Sequence, residues 1–100
     1  MIIVAGTLRL SPEDLASVRD AARTVLTETR KETGCRVYSF AEDLLEPGLV
    51  RIYEEWDTRA DLDAHARAPH IADWHKVLSG VTILKRELSV IEAGAVEPLG

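Results

Sequence analysis

The segment Ile2–Leu10 is short, β-branched at its start, and apolar on both faces that an extended chain would present. Ile2, Val4 and Leu8 point one way, and Ile3, Ala5 and Thr7 point the other. A strand of this kind needs cover on both sides. In a chain of 100 residues, helices can cover one face and leave the other as an interaction surface. Small domains often enlarge their core by oligomerising. The expectation is a homodimer packed through its sheet faces.

The rest of the chain supplies the covering layer. Ser11 can cap a helix, Pro12 suits its first position, and Asp14 stands where a capping box places its acid. Leu15, Val18, Ala22, Val25, Leu26 and Thr29 then fall on one helical face. Gly34 suits the stop of that helix. Cys35–Glu42 and Leu49–Trp56 read as strands joined through the turn residues Glu46-Pro47-Gly48, hence as a hairpin. Thr58 can cap a second helix that Pro69 interrupts and restarts, with Ile71, Trp74, Val77 and Leu78 inward and Gly80 as its stop. Val81–Glu92 reads as the last strand. The order is β-α-β-β-α-β, the α+β ferredoxin-like arrangement: one four-stranded antiparallel sheet with helices on one face. Residues 1–100 form a single domain, with 93–100 as a tail.

Charge and composition exclude several function classes. A net charge of −5 without a basic cluster argues against nucleic acid and against acidic membrane surfaces. No run approaches the length of a membrane span, and the start MIIVAG lacks the features of a signal peptide. Cys35 is the only cysteine, so no intramolecular disulfide can form, and the expected compartment is the cytoplasm. A buried, inert thiol is the expected state of Cys35.

The reactive side chains collect between Tyr53 and His75, in YEEWDTRADLDAHARAPHIADWH. His65, His70 and His75 would not share a face of one straight helix, and no zinc motif is present, so no metal site is expected. Asp61 and His65 stand at i and i+4. A carboxylate there can orient the imidazole as a general base, and the alternative is an exposed helical ion pair. Glu54 and Glu55 point to opposite faces of their strand, and each is expected in a cross-strand ion pair with Arg36, Arg51 or Lys85. Trp56 and Trp74 are either core anchors or the walls of a pocket for a flat ring. No nucleophile motif, phosphate-cradling loop or dinucleotide fingerprint is present.

The run Tyr53-Glu54-Glu55-Trp56, then Leu62, His65 and Pro69-His70, resembles the antibiotic biosynthesis monooxygenase domain family. The resemblance covers nearly the whole chain. It implies a dimeric α+β barrel with a pocket between sheet and helices, and a monooxygenase that oxidises quinols or hydroxylated polycyclic rings with dioxygen, using no metal or flavin cofactor. His65 matches the family histidine and Trp56 the family tryptophan. In that reading His65, oriented by Asp61, takes the phenol proton. Trp56, Trp74 and Ile71 confine the ring, and Thr7 bonds a substrate oxygen. The haem-degrading branch of the family uses an asparagine, a tryptophan and a ligating histidine at positions matching Thr7, His65 and His75. Only His75 agrees, which argues against haem breakdown. A non-catalytic module that holds a small aromatic, or haem through His75, is the alternative.

Overall fold

The computed structural model describes residues 1–100. Its elements are β1 (Ile2–Arg9), α1 (Pro12–Thr29), β2 (Cys35–Glu42), β3 (Leu49–Trp56), α2 (Arg59–Ala66), α3 (Pro69–Leu78) and β4 (Lys85–Glu92). The strands form one antiparallel sheet in the order β2-β3-β1-β4, which is the ferredoxin-like topology with its second helix broken in two.

Local chemistry explains most of the boundaries. The Asp14 amide donates to Ser11 Oγ at 3.1 Å, and the Asp61 amide donates to Thr58 Oγ1 at 3.1 Å, so both expected caps form. The helix α1 stops at Thr29, earlier than Gly34 suggested, because Lys31 and Glu32 turn back to bond the carbonyls of Glu28 and Thr29. Gly34, at φ +79°, then redirects the chain into β2. Arg67 closes α2, and Ala68 is extended before Pro69, as a residue before proline prefers. The last strand starts at Lys85 rather than Val81. Val81 instead packs against the core at the end of α3, and the Leu84 amide bonds the Arg9 carbonyl at 2.9 Å before pairing begins.

One face of the sheet meets the helices. Leu8, Val50 and Ile52 join Val18 and Val25 of α1 and Ile71, Trp74 and Leu78 of α3 in the main core. Ile2, Tyr38 and Trp56 form a smaller adjoining cluster. The register places Ile3, Ala5, Thr7, Tyr53 and Ile91 on the opposite face, together with Arg51, Glu55 and Glu87. Tyr53 is 38% and Ile91 46% exposed there. The second face is therefore apolar along its middle and charged around it, a more mixed surface than β1 alone suggested. No helix is long and apolar enough to cross a membrane.

Candidate functional site

A cavity of about 280 Å³ opens between the sheet and the α2–α3 pair. Val4, Leu8 and Ile52 form its floor, Ile71, Trp74 and Leu78 its roof, and Leu88 and Val90 of β4 its rim. No helix lies over β4, whose residues are all exposed, so the cavity opens along that strand. Its polar groups are Glu54, His65, His75, Arg86 and the Tyr38 hydroxyl. A second cavity of about 220 Å³, under α1, shares Leu8, Phe40, Ile52 and Trp74 with the first. Its polar groups are Arg19, Arg23 and Glu42, with no imidazole among them.

His65 anchors the first cavity. It is 7% exposed, and its ring lies 4.7 Å from that of Trp56 and 5.2 Å from that of Tyr38 between centroids. Its Nδ1 lies 2.7 Å from Oε2 of Glu32, in the turn after α1. The same oxygen lies 2.9 Å from Nε2 of His70. An ionised carboxylate is an acceptor, so Nδ1 of His65 carries the proton and Nε2 is left free to meet a ligand. That is the tautomer a general base needs.

The partner of His65 is thus Glu32, not Asp61. Asp61 sits at the start of α2 with its carboxylate against Gly34, where a Cβ on the glycine would lie 2.0 Å from Oδ2. Sequence spacing pairs Asp61 with His65 on one helix face, but His65 turns inward and meets a carboxylate delivered by a distant turn. The expectation that the histidines stay apart is likewise overturned for His65 and His70. The extended Ala68 redirects the chain, so the two rings come within 6.3 Å across the junction of α2 and α3.

Glu54 is the second ionisable group of the cavity that the sequence reading misplaced. It is 6% exposed on the helix-facing side of β3, and Oε1 accepts a 3.0 Å bond from Nε1 of Trp56, two residues on. Burial raises its pKa, opposed by that indole bond and by His65, while Glu32 adds to the rise. Neither glutamate of the pair makes the expected ion pair. Glu55 accepts from the Tyr53 hydroxyl at 2.6 Å on the outer face. Arg36 pairs with Asp57, Arg51 with Asp43, and Lys85 with Glu87. The signal for Glu54 was present in the alternation Ile52-Glu54-Trp56, which puts a carboxylate in a buried row. Glu32 had no such signal. Tyr38 is buried between these groups, and its hydroxyl is pushed up by burial and by Glu54.

The sequence model of the antibiotic biosynthesis monooxygenase family matches residues 1–77. This chain belongs to that family. A crystal structure of a candidate antibiotic biosynthesis monooxygenase from Deinococcus radiodurans superposes with a TM-score of 0.90 over 100% of both chains, at 32% identity. An uncharacterised Synechocystis protein, sll1783, is 33% identical over 73% of this chain, which spans 50% of that protein's length. The Escherichia coli protein called probable quinol monooxygenase YgiN is 23% identical over 94% of this chain and 99% of its own.

In this antibiotic biosynthesis monooxygenase domain, the rings of Trp56 and His65 are in contact. Trp56 is fully buried beneath His65 and holds Glu54 rather than walling the open cavity. Trp74 and Ile71 do line it, and Trp74 also stacks on Phe40 with centroids 6.0 Å apart. His75 lies at the rim with Arg86, and its pKa is lowered by desolvation first, then by Arg86 and His65. Thr7 is on the outer face of the sheet, opposite the row Val4–Leu8 that floors the cavity, so it does not reach a molecule bound there.

Proposed function

We propose that the chain is a cofactor-independent monooxygenase of small quinol-like or hydroxylated polycyclic aromatics. The observation that carries this reading is an apolar cavity holding a buried imidazole whose Nδ1 is fixed by a carboxylate and whose Nε2 is free. The kinship with YgiN supports the quinol class. Dioxygen reacts poorly with neutral closed-shell molecules, whereas a phenolate donates an electron to it readily. His65 takes the phenol proton on Nε2, and Glu32 positions the ring and stabilises the imidazolium that forms. The substrate supplies all four electrons: one oxygen atom enters the ring and the other leaves as water. Trp74, Ile71 and Leu88 hold the ring and exclude solvent. The cavity volume lies near the lower end of small-molecule sites, roughly 300–1,000 Å³, which favours compact ring systems.

The family resemblance and the apolar row Ile3, Ala5 and Ile91 support a homodimer through the outer sheet faces. Sedimentation at micromolar concentration should give a dimer, and a strict monomer would remove that part. Oxygen uptake with a panel of hydroquinones and anthrones tests the reaction itself. General-base help is worth roughly 10²–10⁴-fold, and His65→Ala should lose it. No stimulation over buffer, or undiminished turnover in His65→Ala, would remove the catalytic reading. His75 beside Arg86 at the cavity rim keeps the haem-binding alternative concrete. A Soret shift on haem titration that disappears in His75→Ala would favour it.

A further inference from the structure

The helix interruption at Ala68–Pro69 has a second consequence. It brings His65 Nδ1, His70 Nε2 and a carboxylate oxygen of Glu32 within 4.8 Å of one another. The three come from separate segments: the turn after α1, the last turn of α2 and the first turn of α3. Their side chains are 8%, 21% and 17% exposed for His65, His70 and Glu32, so the group is sheltered yet reachable from solvent. The geometry points to a binding site for one divalent transition-metal ion of the zinc or cobalt type, held by these three residues. This goes beyond the oxidation proposed above and does not depend on it.

The donor set decides the ion class. Two imidazole nitrogens and one carboxylate oxygen suit zinc, cobalt and their neighbours, whereas magnesium and calcium require a shell of oxygens. Two neutral imidazoles leave the carboxylate as the only charged ligand, so a divalent ion meets one negative charge and two dipoles. Tetrahedral bonds of about 2.0–2.1 Å hold neighbouring ligand atoms roughly 3.3–3.4 Å apart. The present separations from Glu32 Oε2 are 2.7 and 2.9 Å. Ligation therefore needs the carboxylate oxygen to open slightly from both rings and the two ring nitrogens, now within 4.8 Å of each other, to close around the ion, and Glu32 sits on a turn rather than inside a helix or strand. Three protein ligands leave a further coordination position to solvent. An ion there occupies Nδ1 of His65 in place of the proton that Glu32 now accepts.

The test uses the untagged full chain, freed of metal by a chelator and titrated with Co²⁺ while the visible ligand-field bands are followed. One Co²⁺ per chain should bind, with zinc displacing it and magnesium leaving it in place. His70→Ala and Glu32→Gln should each weaken binding at least about tenfold, since even indirect supporters of a metal site are worth about 10–100-fold. The rise in melting temperature on adding zinc should vanish in both, and His75→Ala should bind as the wild type does. Circular dichroism of the metal-free variants confirms that they fold. The absence of a saturable one-to-one complex, or unchanged affinity in folded His70→Ala, would overturn the site. Neither result bears on oxygen uptake, which is measured without added metal.

Discussion

Replacing Trp56 with Phe tests whether the indole tunes Glu54 or merely fills space. Trp56 is 0% exposed, and Nε1 donates to Glu54 Oε1 at 3.0 Å. Phe keeps most of the packing but removes roughly 40 Å³ of side chain, worth about 1 kcal/mol at ~24 cal/mol per Å³ of cavity. It also strips the donor from a buried carboxylate, a loss of about 1.5–3 kcal/mol for a bond to a charged group. The sum is about 2.5–4 kcal/mol. At about 4–8 °C per kcal/mol for a domain of this size, melting should fall by roughly 10–30 °C. In a Glu54→Gln background the packing loss remains, but the bond is only from a neutral indole N–H to an amide oxygen, worth about 0.5–1.5 kcal/mol. A double-mutant cycle in urea should therefore show a coupling of about 1–2 kcal/mol.

The pH dependence fixes the sign independently. The folded pKa of Glu54 is raised above its ordinary value of 4.5, mainly by burial. Between the two pKa values the folded chain binds more protons than the unfolded one, so stability falls as pH rises through that window. Glu54→Gln removes this leg, so its stability relative to wild type should improve from pH 4 to pH 7. Trp56→Phe loses the hydrogen bond that chiefly restrains the rise, so Glu54 should titrate higher still and the fall in stability with pH should steepen. Denaturant curves at several pH values give both numbers, and the Glu54 carboxyl carbon followed by NMR gives the pKa directly. A coupling under about 0.5 kcal/mol, within ordinary additivity, would refute the tuning argument.

Four further outcomes follow from the same geometry. Glu32→Gln should lower turnover of a responsive quinol by up to roughly 10²–10⁴-fold, the range of general-base help, while Asp61→Asn stays near wild type, as steady-state oxygen uptake will report. Gly34→Ala should destabilise by roughly 2–4 kcal/mol in urea, because φ is +79° and the new Cβ would meet the Asp61 carboxylate at 2.0 Å. Gly6→Ala should loosen the β1–β4 pairing, since its Cβ would fall 1.8 Å from the Glu87 carbonyl oxygen, and hydrogen exchange at the β4 amides should quicken before that at β2. Cys35 should react with a disulfide reagent at neutral pH more slowly than a free thiol does, because burial first, and then Glu32 and Glu54, raise its pKa.

The architecture was legible because local signals agreed with one another. Ser11 and Thr58 cap where they stand, and the 2.0 period sets the rows of β1 and β3. Pro69 splits a helix as a residue without an amide proton must. The cavity was partly legible for the same reason: Ile71 and Trp74 face it through helical spacing, and Trp56 and His65, singled out in the sequence, come into ring contact. Thr7 stands outside the cavity because it belongs to the opposite face of β1 from the floor. Val4 and Leu8 share a row by parity, and Thr7 is one residue out of phase with both.

The centre of the site was illegible for a different reason. The sequence offers Asp61 as a neighbour of His65 only if the histidine stays on the outside of a regular helix. A buried imidazole instead selects its partner from whatever the tertiary fold brings against it, here a glutamate 33 residues earlier. The turn that carries Glu32 exists because α1 closes at Thr29, and it is held by backbone bonds that no side-chain pattern announces. The second histidine arrives only because Ala68 is forced out of the helical region by the proline after it. A single proline thus determines whether His65 has one acidic neighbour or belongs to a three-residue cluster. Without that bend one continuous helix would set His65 and His70, five positions apart, on different faces. The proline acts on the cluster through the direction of the chain rather than through any contact of its own.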